Sequence, residues 1–226
     1  MANPIISRTE LAVGAVPMTV NGVVKKTAFL LGLSAFVGFG IFFFTLMGAI
    51  APGMLYMLAI VAVFSAMGIG LLMAFKPHLA KMLSVPYAMI EGVFLGAVSA
   101  VAYYKAPSVP LMALSATFIT AAVMLTLYTT GIVKVGEKFR SIITSATIAI
   151  AIVYFIQLGM SLIFSSSIPG LFGGGLIAIG FSVFVTIIAS FNLLLDFDNV
   201  ERSVSYGVDQ EFEWVHSVGI LATLVW

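Results

Sequence analysis

Long apolar segments separated by short polar connections dominate the chain. A helix that crosses a bilayer needs about 20 predominantly apolar residues. Six segments reach that length, and they cover residues 27–50, 53–75, 85–104, 109–133, 142–164 and 175–198. A seventh apolar segment begins near His216 and reaches Trp226, about half of the required length. The pattern predicts an all-α integral membrane protein, a seven-transmembrane-helix bundle whose seventh helix is cut short at Trp226; the alternative for this last segment is a short interfacial helix.

Composition supports a membrane protein of one domain. Hydrophobic residues make up 62% of the chain and charged residues 8%, whereas soluble domains average roughly 45–50% and about 25%. The chain has no cysteine, which excludes disulfides and cysteine-ligated metals. A net charge of +1 gives no reason to expect nucleic acid as a partner. We expect an amino-terminal arm at residues 1–26 and a single transmembrane domain at residues 27–226.

Basic residues predict the orientation, because lysine and arginine concentrate in cytoplasmic loops. With the amino terminus in the cytoplasm, the outer loops hold only Lys105. The inner segments then hold the other nine of the ten basic residues: Arg8, Lys25, Lys26, Lys76, Lys81, Lys134, Lys138, Arg140 and Arg202. We therefore predict a cytoplasmic amino terminus. None of these residues falls inside a predicted span, so we expect any buried carboxylate to lack a basic partner within the bilayer.

Glu91 lies inside the third predicted span. A charged side chain near the centre of a spanning helix costs about 2.5–3.5 kcal/mol on insertion scales, so an acid at this depth is by default a functional candidate. The alternative is a structural role, with Glu91 protonated and hydrogen-bonded to a neighbouring helix. Gly92 and Gly96 follow it in a G-x-x-x-G pattern, which favours close approach of two helices.

Two aspartates lie at the end of the sixth predicted span. At 100° per residue, Asp196 shares a helix face with a stripe of small and polar residues that we expect to look into the bundle: Ser182, Thr186, Ala189 and Asn192. Asp198 points almost the opposite way and has Arg202 four residues later, as in an ordinary surface pair at a solvated helix end. Asp196 is therefore the better candidate for an inward-facing acid.

Motifs for catalysis are absent from the sequence. The chain contains no H-E-x-x-H and no G-x-S-x-G motif, and both histidines lie at predicted interfaces. We predict that the protein is not an enzyme and that it uses no cofactor.

Four segments carry a resemblance to a known family: "PMTVNGVVKKT" in the arm, "YAMIEGVFLGA" in the third span, "LLLDFDNVE" at the end of the sixth, and "LATLVW" in the seventh. Together they resemble the transmembrane Bax inhibitor motif family, and in particular its bacterial branch. The resemblance implies a seven-helix fold with the last helix in the middle, located in the inner membrane of a bacterium. It also implies a calcium-permeable leak that is governed by pH through two carboxylates, one ending the sixth helix and one in the seventh.

The resemblance places the first of these carboxylates at Asp196, which has the aliphatic Val200 four positions later. Asp198 fits less well because Arg202 stands at the equivalent position, and the second carboxylate would lie beyond Trp226. Asp196, Asp198 and Asn192 are thus the candidate ion- and proton-sensing residues, joined by Glu91 on physical grounds alone. Asp196 is also a candidate ligand for calcium in transit, since calcium prefers oxygen ligands.

The acidic loop after the sixth span has two interpretations. Asp209, Glu211 and Glu213 would raise the local concentration of cations at a cytoplasmic mouth. The alternative is an ordinary solvated loop.

The leading hypothesis for function is a pH-sensitive calcium-permeable leak with the lipid bilayer, calcium and protons as its partners. One alternative is an interaction protein that modulates another membrane protein, such as a quality-control protease. A second alternative is a proton-coupled cation carrier, which would use the same acids.

Overall fold

The structure is a computed structural model that describes residues 16–164, 166–173 and 175–225. These residues form seven α-helices: α1 Val20–Leu46, α2 Pro52–Phe75, α3 Ala80–Lys105, α4 Val109–Thr129, α5 Glu137–Phe164, α6 Leu176–Ser205 and α7 Phe212–Val225. A short 3-10 helix, Pro77–Leu79, precedes α3. The first six α-helices are long and apolar enough to cross a membrane, whereas α7 is a shorter apolar helix. The predicted all-α membrane protein is confirmed.

Several helices extend beyond the apolar segments that predicted them. Helix α1 begins at Val20, and Thr19 caps it by accepting a hydrogen bond from the Gly22 N–H at 2.9 Å. Such a cap satisfies a backbone donor that the first turn would otherwise leave unpaired. Lys25 and Lys26 are consequently part of α1, Arg140 is part of α5, and α6 continues past Asp198. The expectation that no basic residue lies within a spanning helix was therefore wrong: hydropathy marks the apolar part of a helix, and its end is decided by capping.

Pro86 lies inside α3, which begins six residues before it at Ala80. The start predicted for the third span, residue 85, was therefore too late. Proline removes one intrahelical hydrogen bond, and this loss falls near the beginning of a long helix whose later turns remain intact. Pro52, in contrast, occupies the first position of α2.

The described residues form two compact units, one within 16–119 and 199–225 and the other within 120–198. In the first unit, α1 packs closely on α3, and both contact α7. The glycines permit the close crossing: a Cβ on Gly38 would lie 3.1 Å from the Gly92 carbonyl oxygen, and a Cβ on Gly92 would lie 2.9 Å from the Val37 Cβ. The expected role of the Gly92–Gly96 pattern is confirmed.

The second unit contains α5 and most of α6. Its buried core consists of apolar side chains from these two helices, and they are Ile143, Ile150, Val185, Ile188 and Leu195. The predicted division of the chain into an arm at 1–26 and one domain at 27–226 is not tested by these units and stays a prediction; residues 1–15 of that arm lie outside the described residues.

Large apolar side chains point outward along the long helices. Phe36 and Phe75, for example, are 77% and 82% exposed. Helix α4 has no buried residue, and several of its hydroxyl groups donate to carbonyls of their own helix, as Thr117 does to Ala113 at 3.0 Å. An apolar exterior with internally satisfied polar groups suits a lipid environment. The protein is therefore an integral, multi-pass membrane protein.

Candidate functional site

Asp198 lies near the end of α6 and forms an ion pair with Arg140 from the first turn of α5. The Arg140 Nη2 donates to the Asp198 Oδ2 at 2.5 Å, and the two side chains are 28% and 14% exposed. The expected solvated helix end therefore did not describe Asp198 correctly, because its side chain is mostly enclosed and has a partner on α5. Sequence spacing showed only the partner on the same helix, whereas the packing of α5 against α6 supplies an arginine 58 residues earlier.

Asn192 makes a second polar contact between the same two helices. Its amide donates to the Thr147 Oγ1 at 2.8 Å and to the Ile188 carbonyl oxygen at 3.0 Å. Asn192 and Asp198 lie on either side of Asp196 along α6. These contacts hold residues 192–198 of α6 in a defined rotation about the helix axis, and they thereby position Asp196.

Asp196 is partly buried, but the polar stripe used to orient it does not face inward. Ser182 and Thr186 are exposed. The Thr186 hydroxyl donates to the Ser182 carbonyl oxygen of its own helix at 2.8 Å, so it needs no partner from the interior of the bundle. The predicted inward stripe was wrong for these two residues, because a hydroxyl can satisfy itself on the preceding turn.

Glu91 is buried in α3, with 8% of its surface exposed. Tyr87 lies one turn earlier on the same helix face, where its hydroxyl interacts with the Glu91 carboxyl group. The predicted burial is confirmed. The structural alternative placed the partner of Glu91 on a neighbouring helix, whereas Tyr87 lies on α3 itself.

Glu213 lies in the first turn of α7, outside the six long spans, and its side chain is only 1% exposed. Its Oε2 accepts from the Lys26 Nζ at 2.5 Å. Its Oε1 accepts from the Thr19 N–H at 2.8 Å and from the Thr19 hydroxyl at 3.2 Å. The Lys26 ammonium also lies 5.1 Å from the centre of the Trp214 ring, within the range of a cation–π contact.

The expectation that Glu213 belongs to an acidic mouth was wrong. Burial raises the pKa of Glu213, but the hydrogen bonds and charge of Lys26, with the hydrogen bonds from Thr19, outweigh it and lower the pKa below its ordinary value. Glu213 is thus an ionised, paired carboxylate at neutral pH. One sequence signal was available: Thr19, Gly22 and Lys26 share a face of α1 by their three- and four-residue spacing.

The other two acids of the loop behave differently from Glu213. Glu211 pairs with Lys81 at 3.1 Å, and both side chains are more than half exposed. The Asp209 Oδ1 accepts from the Glu211 N–H at 2.8 Å, a local contact that stabilises the turn before α7. Among the described residues, no group of three or more His, Asp or Glu side chains could hold a metal ion.

Comparison with known families assigns the chain to one of them. The sequence profile of one family, described as Bax inhibitor 1 like, matches residues 3–226. The chain belongs to the Bax inhibitor 1 like family. Comparisons with curated proteins and with solved structures gave no match. The family match covers the whole bundle described here, including the end of α6 with Asp196 and Asp198 and the start of α7 with Glu213.

Proposed function

We propose that this Bax inhibitor 1 like protein is a pH-sensitive, calcium-permeable leak in which Asp196 is the proton-sensing carboxylate. The observation that carries the proposal is the fixed end of α6. Asp198 is held by Arg140 at 2.5 Å and Asn192 by Thr147 at 2.8 Å, so an acid between them is presented in one orientation at the end of an apolar span.

The proposed chemistry is a change of charge at this position. An ionised carboxylate attracts a cation and repels a neighbouring carboxylate, whereas its protonated form does neither. A hard cation such as calcium takes oxygen ligands, and a single carboxylate assisted by water suits brief contact during passage rather than storage. Asp198 has its charge compensated by Arg140, and the family resemblance places the sensing carboxylate at Asp196.

The test measures calcium flux into liposomes that contain only this protein, over a range of pH. We expect flux to rise as the pH increases through the pKa of Asp196, because deprotonation creates the charge that attracts calcium. Asp196→Asn should flatten this dependence. Asp198→Asn is the matched control: it removes a negative charge but retains an oxygen that can accept from Arg140, so it should lower thermal stability while leaving Asp196 in place and the shape of the pH profile unchanged.

Two results would contradict the proposal. A pH response that is lost with Asp198→Asn and kept with Asp196→Asn would assign sensing to the other aspartate. A bilayer that stays impermeable, together with strong co-purification of another membrane protein, would favour the interaction protein instead.

The location proposed for this leak is the inner membrane of a bacterium, with the amino terminus in the cytoplasm. The asymmetric distribution of basic residues supports this orientation. Lys105 and Lys138 are both exposed, so single cysteines at these positions in the cysteine-free chain can be labelled with a membrane-impermeant reagent in intact cells. Labelling of the Lys105 variant alone is expected; equal labelling of both would contradict the orientation.

A further inference from the structure

The start of α7 is attached to a segment that precedes it by 194 residues. We call residues 16–19 the strap. The Met18 N–H donates to the Val208 carbonyl oxygen at 2.8 Å, and the Gln210 N–H donates to the Val16 carbonyl oxygen at 3.0 Å. Between them, Pro17 and Asp209 form an antiparallel bridge. The strap thus pairs by its backbone with the turn that leads into α7.

The strap continues directly into three polar side chains that we call the clasp: Thr19, Lys26 and Glu213. Thr19 ends the strap and caps α1, and it donates twice to the Glu213 carboxylate. Lys26, two turns along α1, completes the ion pair. Gly22 lies between them, and a Cβ at this position would collide with the carboxylate of Glu213. The absence of a side chain at Gly22 therefore leaves the space that the carboxylate fills.

The deeper part of α7 is held in a different way. Val218 and Leu221 are buried in an apolar cluster with Leu30 of α1 and Tyr87 of α3. Apolar burial is non-directional, so this cluster tolerates small rotations and shifts of α7. The clasp is directional, because an ion pair and two hydrogen bonds at a buried carboxylate require one geometry. The clasp thus fixes the position of α7 along α1.

We propose that the strap and clasp form an autoinhibitory contact, which holds the start of α7 docked on α1 and, when opened, releases this end of α7 and increases the leak. The effect on the leak rests on the proposed function. The docking itself does not, and it is measured separately.

Docking is tested by the distance between spin labels in the full chain reconstituted in lipid nanodiscs. Labels on cysteines replacing Val24 and Gln210, both exposed, report the separation of α1 from the start of α7. We expect one narrow distance distribution for the otherwise unchanged chain. Lys26→Met, which leaves the buried carboxylate without its cation, should give a longer and broader distribution. An unchanged distribution would overturn the proposal.

Two further variants keep the test decisive if Lys26→Met does not fold. Glu213→Gln removes the negative charge but retains an oxygen that can accept from Thr19, so we expect partial opening. Gly22→Ala displaces the carboxylate without changing any charge and should also open the clasp. Gly32→Ala is the matched control on α1, since a Cβ there has no atom within 4 Å. Opening with Gly32→Ala equal to that with Gly22→Ala would contradict the role of the clasp.

Calcium flux through the same variants in liposomes tests inhibition. A several-fold higher flux in each variant whose label distance increases would support the proposal. If the unchanged chain passes calcium and the opened variants pass it at the same rate, the inhibitory role alone would be overturned. Absence of flux in every chain would instead overturn the proposed function, and with it the inhibitory role, while the distance measurements would still decide whether the clasp holds α7.

Discussion

Two ion pairs in this protein have the same length and different surroundings. Lys26–Glu213 and Arg140–Asp198 both have N···O distances of 2.5 Å. The Glu213 side chain is 1% exposed and has two further hydrogen bonds from Thr19, whereas the Asp198 side chain is 14% exposed and its partner Arg140 is 28% exposed. An exposed pair contributes little because water competes for both charges, and a buried carboxylate is strongly destabilising when its partner is removed.

The difference separates two uses of a carboxylate in the same chain. Glu213 is enclosed and fully paired, so its protonation state is tied to the fold. Asp196 is only partly buried, which is consistent with its proposed response to protons and cations. The N···O distance alone does not distinguish these roles, whereas the burial of the carboxylate does.

The largest expected effect comes from Lys26→Met. Removing one partner of a buried ion pair costs about 3–5 kcal/mol, so the unfolding temperature in detergent should fall steeply. The pH dependence should also change sign. In the unchanged chain the pKa of Glu213 is lowered, so the ionised Glu213 stabilises the folded state fully at a pH above the ordinary glutamate pKa. This stabilisation is lost as the pH falls through the lowered pKa. Without Lys26, burial favours the protonated acid, and stability should increase as the pH falls.

Glu213→Gln is the control for that pH dependence, since it has no carboxylate to titrate. If Lys26→Met and the unchanged chain lose stability in parallel as the pH falls, then Glu213 is not the group responsible.

A smaller loss of unfolding free energy is expected for Arg140→Met. Hydrogen bonds to charged groups contribute about 1.5–3 kcal/mol when well enclosed, and partial exposure of this pair reduces the value to about 1–2 kcal/mol. Thermal unfolding compared directly with Lys26→Met measures the contrast. Lys138→Met, at an exposed position two residues earlier on α5, controls for the loss of a positive charge in the first turn. Equal losses for Lys26→Met and Arg140→Met would refute the distinction between the two pairs.

Gly22→Ala tests the clasp without altering its charges. Alanine is favoured over glycine in a helix interior by about 1 kcal/mol, and Gly32→Ala should show this gain because its Cβ meets no atom. At Gly22 the new methyl group displaces the Glu213 carboxylate, so we expect a net loss of about 1 kcal/mol or more instead, offsetting the helix preference. If thermal unfolding shows a gain in stability for both Gly22→Ala and Gly32→Ala, the Glu213 carboxylate moves aside at no cost.

The smallest effect is expected for Glu91→Gln. Glutamine retains an oxygen that can accept from the Tyr87 hydroxyl and closely matches the shape of a protonated glutamate, so stability should change by less than about 1 kcal/mol. Glu91→Leu is the comparison, because it leaves Tyr87 without its partner. A large loss of thermal stability with Gln would indicate an ionised Glu91 paired with a cation, as at Glu213.

The sequence by itself determined the membrane class, the six long spans, the short seventh helix and the close helix approach at Gly92 and Gly96. These are local properties: hydropathy over about 20 residues, and small side chains at a four-residue spacing, require no knowledge of distant partners. The motifs that carried the family resemblance are likewise short and contiguous. The sequence also drew attention to the end of α6, where two aspartates follow an apolar helix.

Only the tertiary structure decided which charges are paired. Lys26 and Glu213 are 187 residues apart and Arg140 and Asp198 are 58 apart, so no local pattern connects them. The apolar segments predicted helices that stop short of Lys26 and Arg140, and Glu213 was expected in a solvated loop or at an acidic mouth. The helices extend further because their ends are set by caps such as Thr19, and the packing of α7 on α1 and of α5 on α6 then brings each cation to its carboxylate. Whether an acid is exposed or enclosed depends on that packing, and the packing distinguishes a solvated loop residue from the buried anchor of a helix.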